Sequence, residues 1–319
     1  MLILSGETMG STWHVHIAEA LATQEIEGLQ EKIESVLETV NQHFSPFMPQ
    51  SELSQFNDKQ STEPIHISQA MRKVVAQALK LCEQTDGVYD ITVEPLVNVW
   101  GFGAQEVSTH PDDEQVRQAL QRVNYRHLCL SEQGLCKHDP ETRIDLCSIA
   151  KGYGVDGVAE VLEQVGIKHY LVDIGGELRI SGNRYQQPWR VGLERPQWGG
   201  GVYEQVLMFK DTNLGVATSG NYRNYFKDQG KVASHEINTK TGYTSVSTLL
   251  SVTVLADNCM VADGYATALF LLGEKAFEFA EKQQIAALFM VHSTVEAHAY
   301  SLQMSSAFQR IIQKNNNLL

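Results

Sequence analysis

The sequence is poor in positive charge. Its 319 residues carry 25 Lys and Arg against 38 Asp and Glu, a net charge of 25 − 38 = −13. Phosphate backbones are gripped by a concentrated surplus of Lys and Arg, so this balance argues against a nucleic-acid-binding protein. Long hydrophobic runs are missing as well. Nothing approaches the roughly 20 apolar residues of a membrane-spanning helix, which excludes that class of integral membrane protein. Cysteine is scarce: Cys82, Cys129, Cys136, Cys147 and Cys259 are odd in number and scattered. Neither a disulfide framework nor zinc-ligand spacing emerges from them. The opening residues show no basic segment, long apolar stretch or cleavage site of a secretory leader. A cytoplasmic protein is the expectation, with a periplasmic lipoprotein stripped of its leader as the alternative.

What is present is a globular composition, 43% hydrophobic and 20% charged. A chain of this length buries about three-quarters of its unfolded surface. There is no internal repeat, low-complexity run or linker, so residues 1–319 read as a single unit, with room for two lobes. Ile26, Leu29, Ile33, Val36, Leu37, Val40 and Phe44 fall on one helical stripe. Ser68 caps a second helix burying Met71, Val74, Val75, Ala78 and Cys82, and Pro111 starts a third. A fourth is expected from about Lys151 to Val165. Short strands follow at 169–174, 177–181, 189–194, 205–210, 214–218 and 249–256, then a helix at 259–272, a strand pair and a terminal helix. Early helices and grouped strands predict an α+β fold with antiparallel sheets rather than βαβ winding.

Several segments can carry chemistry, each with a plain structural reading beside it. Thr8-Met9-Gly10-Ser11-Thr12 is a strand entry where a ligand could approach the backbone. Asp86-Gly87 begins a turn, and Trp100-Gly101-Phe102-Gly103 is either core aromatics or a wall for a flat ring. Gly152-x-Gly154-x-x-Gly157 is close to a dinucleotide-binding fingerprint, but its glycines fall within the helical stripe rather than in a tight turn. An anion site at this helix's N-terminus, with Lys151 as a point charge, is compatible with either reading. Cys147 has no evident base beside it. Gly175-Gly176-Glu177 is a hairpin or bulge, with Glu177 available to ligand hydroxyls. Asp263 and Thr267, four apart, share one helix face. A hydrogen-bonded cap and a hard cation such as Mg²⁺ both explain a carboxylate in so apolar a helix. A lone His235 is ambiguous in the same way.

The order of these segments is more specific than any one of them. Met9-Gly10-Ser11-Thr12, Ser51-Glu52-Leu53, Thr85-Asp86-Gly87-Val88-Tyr89-Asp90, Pro95-Leu96-Val97-Asn98, Asp145-Leu146 through Ala150-Lys151-Gly152, Gly175-Gly176-Glu177, Thr218-Ser219-Gly220-Asn221-Tyr222, Ser234-His235 and Ala262-Asp263 through Thr267-Ala268 occur in succession. In this the chain resembles the ApbE-type FAD:protein FMN transferases over nearly its whole length. The resemblance implies an ApbE-like (T-fold-like), two-lobed α+β unit. It also implies Mg²⁺-dependent cleavage of FAD, with FMN joined to a Thr or Ser of a partner flavoprotein and AMP released. By position in the family's motifs, the metal ligands would be Asp263, Thr267 and the Ser148 carbonyl. Met9, Val88, Tyr89, Asp90, Asp145, Lys151 and Ile237 would contact FAD, and His235 would activate the acceptor hydroxyl. Phe47 stands where the family usually has Tyr, which keeps stacking but loses the phenol's hydrogen bond. Asn238 replaces a usual Asp. FAD hydrolysis with water as acceptor, and a non-catalytic FAD carrier, are the competing readings.

Overall fold

The computed structural model describes residues 1–104, 110–194, 203–220, 225–228, 231–234, 236–244, 248–292 and 300–315. A hairpin of β1 (Leu2–Thr8) and β2 (Ser11–Ile17) opens the chain, and α1 (Thr23–Phe44) follows. The hairpin turn is Met9-Gly10 alone, both with positive φ (48° and 69°). That backbone suits the twist of a two-residue hairpin and favours Gly at the second position.

A helical lobe comes next: α2 (Glu52–Asp58), α3 (Gln69–Gln84), α4 (Glu94–Val99) and α5 (Asp113–Leu120), closed by the small hairpin β3 (Leu128–Ser131) and β4 (Gly134–Lys137). The Ser68 hydroxyl accepts the Met71 N–H at 3.1 Å, as its sequence position foretold, and α3 buries the expected residues with Leu81 in addition. Pro111 precedes the third helix rather than starting it. Asp112 is the cap, in a reciprocal pair with Gln115, because the first turn needs an acceptor that proline cannot supply.

The remaining elements are α6 (Cys147–Gln164), β5 (Tyr170–Ile174), β6 (Glu177–Gly182), β7 (Trp189–Glu194), β8 (Tyr203–Phe209), β9 (Thr212–Gly220), β10 (Tyr225–Asp228), β11 (Lys231–Ser234), β12 (Leu249–Ala256), α7 (Cys259–Leu272), α8 (Ala276–Gln283), β13 (Ala286–His292), β14 (Tyr300–Met304) and α9 (Ser306–Asn315). Eight strands form one sheet in the order β1-β2-β5-β6-β9-β12-β13-β14, and every pairing in it is antiparallel. The fold is α+β, as the sequence predicts.

The pleat sends alternate residues to opposite faces. On one face Trp13, Val15, Ile17, Tyr170, Val172 and Ile174 pack against α1 and α6. Farther along that face Ala217, Val252 and Val254 pack against α7 and α8. The other face holds Leu178, Ile180, Val216 and Leu288 under the β7–β8 hairpin and α9. A separate core joins α2, α3 and the β3–β4 hairpin to the first turns of α6 and to α7. Those first turns of α6 therefore lie where the helical lobe meets the sheet lobe.

Candidate functional site

The sequence places the start of α6 near Lys151; the helix begins four residues earlier, at Cys147. The Asp145 carboxylate accepts the Cys147 N–H at 2.7 Å, so the first orphan donor is satisfied by a side chain two residues back. The Asp145 N–H in turn donates to the Ile91 carbonyl at 2.8 Å, which ties this segment to the turn at 88–93. The Cys147 residue is open to solvent, but crowding protein and then Asp145 push its thiol well above the ordinary range. A thiol so disposed is a poor nucleophile at neutral pH.

Four contacts converge on the first two turns of α6, and a fifth lies beside them on α7. Tyr89, buried, shares a hydrogen bond of 2.8 Å with the Ser148 hydroxyl. Lys151 Nζ donates to both Glu177 carboxylate oxygens at 3.0 Å, joining α6 to β6. The Gly152 N–H donates to Asp263 Oδ2 at 2.9 Å, joining α6 to α7. Met9 packs where its methyl would lie 2.9 Å from a Cβ on Gly154. One turn along α7, the Thr267 hydroxyl meets the Ser219 hydroxyl of β9 at 3.0 Å.

The Gly152–Asp263 bond is informative. In a regular helix the Gly152 N–H serves the Ser148 carbonyl. Here the Asp263 carboxylate engages that donor, so the carboxylate and the Ser148 carbonyl compete for one N–H and must lie close together. Such an approach requires glycine: a Cβ on residue 152 would stand 2.5 Å from the Cys259 carbonyl oxygen and 2.8 Å from Asp263 Cβ. Gly157 likewise abuts Val36 of α1. The three glycines that mimic a dinucleotide fingerprint all sit inside α6 at close packing contacts, and no glycine-rich turn precedes a helix there.

Asp263 is not a helix cap. Asn258 caps α7, accepting the Val261 N–H at 2.9 Å. Asp263 lies on the second turn, 5% exposed. Burial first, then the charge of Glu177, and more weakly that of Glu236, push its carboxyl well above the carboxylate range. Lys151 and the Gly152 N–H pull the other way. Burial opposes the charge on Lys151, yet Glu177 and then Asp263 raise its pKa above that of a free lysine. Among the described residues Asp263 and Glu177 thus act on the same lysine, and the charge of Glu236 also reaches Asp263. A hard cation taking oxygen donors from Asp263, Thr267 and the Ser148 carbonyl fits this excess of negative charge.

The turn at 88–90 meets the segment containing Ile237. The Thr239 hydroxyl lies 2.6 Å from the Gly87 carbonyl and 2.9 Å from that of Val88. Ile237 is buried with Leu96 and Val116. The Asp90 side chain is fully occupied: Oδ1 accepts the Thr92 N–H (2.8 Å) and hydroxyl (2.6 Å), and Oδ2 accepts the Tyr125 N–H (2.9 Å). At this position the backbone, rather than the carboxylate, is left to meet a ligand. Trp100 donates to the Gly242 carbonyl at 2.8 Å, so the aromatic segment braces the 237–244 loop. Phe47, just beyond α1, is 63% exposed, more than any other large apolar side chain described. His235 lies outside the described residues.

Glu177 acts as the partner of Lys151, a role its sequence context did not reveal. The weight of Glu236 was also missed; only the departure two residues later, at Asn238, drew notice. Both follow or precede a recognisable segment, but their convergence depends on pairing across more than twenty residues. Among the described residues no cluster of three or more His, Cys, Asp or Glu side chains has metal-holding geometry by itself.

With this geometry in hand, comparisons with known proteins are specific. The ApbE family model matches residues 9–289. The chain is 40% identical to the FAD:protein FMN transferase of Haemophilus influenzae, covering 98% of this chain and 92% of that protein. It is 36% identical to the Escherichia coli (strain K12) protein of the same name, covering 99% and 90%. The solved structure of the flavin transferase ApbE from Vibrio cholerae superposes with a TM-score of 0.87 at 38% identity, covering 97% of this chain and 98% of that one.

Proposed function

The chain belongs to the ApbE family and is an FAD:protein FMN transferase, and from that premise we propose how its residues carry the reaction. FAD lies with its pyrophosphate over the first turns of α6, beside Lys151 and Asp263. Met9, Phe47, the Val88-Tyr89-Asp90 turn, Asp145 and Ile237 surround the rest of it. Asp263, Thr267 and the Ser148 carbonyl would hold Mg²⁺ as the cation. When bound it would neutralise charge on the pyrophosphate oxygens. Lys151, oriented by Glu177, adds a fixed positive charge and holds α6 against β6. His235 takes the proton from a Thr or Ser hydroxyl of the acceptor flavoprotein, and that oxygen attacks the FMN phosphorus as the bond to AMP breaks. A positioned base contributes about 10²–10⁴ in rate.

The observation that carries this reading is the buried Asp263, which feels the charge of Glu177 and Glu236 beside the Lys151–Glu177 pair. The test is incubation with FAD, Mg²⁺ and a Thr-bearing acceptor, read as covalent flavin fluorescence on a denaturing gel. Labelling should require the acceptor hydroxyl and collapse in His235→Gly. Full-rate release of FMN and AMP without any acceptor would instead make water the physiological acceptor.

Residues 1–319 act as one transferase unit in this reading. No described helix is long and apolar enough to cross a membrane. A reducing, cytoplasmic setting is part of the proposal, supported by the five free cysteines. Trapping the thiols in intact cells before isolation tests it.

A further inference from the structure

We propose that Cys129 and Cys136 form a thiol modification site, a cross-strand dithiol that converts reversibly to an intramolecular disulfide. The two residues are scattered in sequence, but the hairpin register sets them directly opposite one another in β3 and β4. Directly opposed residues of an antiparallel pair stand about 4.5–5.5 Å apart at Cα. That spacing lies inside the roughly 4.4–6.8 Å range that disulfides span without backbone movement.

The alternation of the strands puts both thiols on the outer face. Leu128, Leu135 and Lys137 are buried, while Cys129 is exposed and Cys136 half-buried. The Cys129 thiol lies near enough to raise the pKa of the Cys136 thiol, after the larger effect of desolvation. The frame around them is fixed from both sides. Arg72 donates to the Ser131 and Glu132 carbonyls at 2.5 and 3.3 Å, and Ile65 and Leu135 exchange backbone hydrogen bonds of 3.0 and 2.9 Å. Closure therefore needs no shift of register between the two strands. Cys82 and Cys259, by contrast, are buried, and Cys147 sits at the start of α6 in the flavin site.

The oxidant is a low-molecular-weight disulfide such as oxidised glutathione. The Cys129 thiolate attacks one of its sulfurs, forming a mixed disulfide and releasing one glutathione thiolate. The Cys136 thiolate then attacks the Cys129 sulfur and releases the second. Two protein thiols are oxidised, one glutathione disulfide is reduced, and the two protons given up by Cys129 and Cys136 are taken by the two released glutathione thiolates. The site thus registers thiol oxidation on the helical lobe without consuming a cysteine of the flavin site.

The test treats the full-length protein with oxidised glutathione, then counts free thiols and maps linked peptides by mass. The wild type should lose two titratable thiols, show the Cys129 and Cys136 peptides joined, carry no glutathione on either, and recover fully with dithiothreitol. Cys129→Ser and Cys136→Ser should each stop at a glutathione adduct on the remaining cysteine. Stable glutathione adducts on wild-type Cys129 or Cys136, dimers linked through Cys129, or two thiols that stay free would each overturn the proposal. None of these readouts depends on flavin transfer, so failure here leaves the transferase assignment untouched.

Discussion

Buried Asp90 and Asp263 and half-buried Asp156, all penalised by desolvation, are treated in two different ways. Asp90 and Asp156 are saturated by local donors. Asp90 takes two N–H groups and a hydroxyl, while Asp156 takes the Cys259 and Met260 N–H groups at 2.8 and 2.9 Å, with Arg179 3.7 Å away. Burial raises both carboxyls, and their principal other influences lower them. Asp263 receives one N–H, and its next strongest influence after burial is another carboxylate. A charge that is buried and met by donors belongs to the scaffold. A buried charge facing further negative charge is poised for a cation, and perturbed groups of this kind mark functional sites.

The comparison breaks most sharply on substitution. Asp263→Ala should cut flavin transfer by about 10³-fold or more, the scale of a lost charge-stabilising ligand, with thermal stability unchanged or raised. Asp156→Ala should do the reverse. It orphans two buried N–H groups at the start of α7, costing about 1–3 kcal/mol for each buried group left unpaired. Denaturant unfolding beside the gel assay separates the two. An Asp263 variant as destabilised as the Asp156 variant would place both in the scaffold.

Gly152→Ala sharpens the same contrast, because it attacks the bond between α6 and Asp263 without touching a charge. A methyl forced against the Cys259 carbonyl should cost about 1–3 kcal/mol, as overpacking does, and shift α7 enough to lower kcat. Smaller again is Phe47→Ala. If the exposed ring stacks on FAD, its loss should weaken stacking by about 0.5–1.5 kcal/mol, seen as a higher KM for FAD with kcat little changed. Phe47→Tyr should keep KM at or below the parent value.

The smallest effect concerns a buried cation that has donors to give rather than acceptors to find. Lys137 Nζ donates to the Asn57 and Lys59 carbonyls at 3.2 and 3.0 Å and lies 4.6 Å above the Phe56 ring. Burial, then the charge of Arg143, pulls its amine down to about 8. An unfolded lysine titrates near 10.4. From about pH 8 to about 10.4 the unfolded chain therefore binds more protons than the native one, and stability attributable to this group rises with pH. Denaturant midpoints of wild type and Lys137→Met, compared at both ends of that window, should move in favour of the wild type as pH rises.

Much of the fold was legible because its periodicities are clean. β7, β12 and α7 have the ends their patterns foretell, and Ser68 caps α3 as its position suggests. The start of α6 was displaced because its first turn is held by Asp145 rather than by the apolar stripe that begins to repeat later. α2 and α4 have seven and six residues, too short for a helical period to register. At the site, Asp263 and Thr267 were visible as a pair four apart. The partners that give Asp263 its character were not: Gly152 is separated from it by 111 residues and Glu177 by a strand and a sheet register. Only the folded chain turns a carboxylate in an apolar helix into one that faces other carboxylates. Cys129 and Cys136 make the same point, scattered in sequence and opposed in the hairpin.

The most direct measurement is thermal unfolding of the FAD-bound protein, without acceptor, as Mg²⁺ is titrated into wild type, Asp263→Asn and Asp156→Asn. Ligand that binds only the native state raises stability by RT ln(1 + L/Kd), where L is its free concentration. Wild type and Asp156→Asn should each gain stability with Mg²⁺ from their own starting points, while Asp263→Asn should not respond. A full Mg²⁺-dependent shift in Asp263→Asn, or none in the wild type, would contradict the assignment of the Asp263 cluster as the cation site.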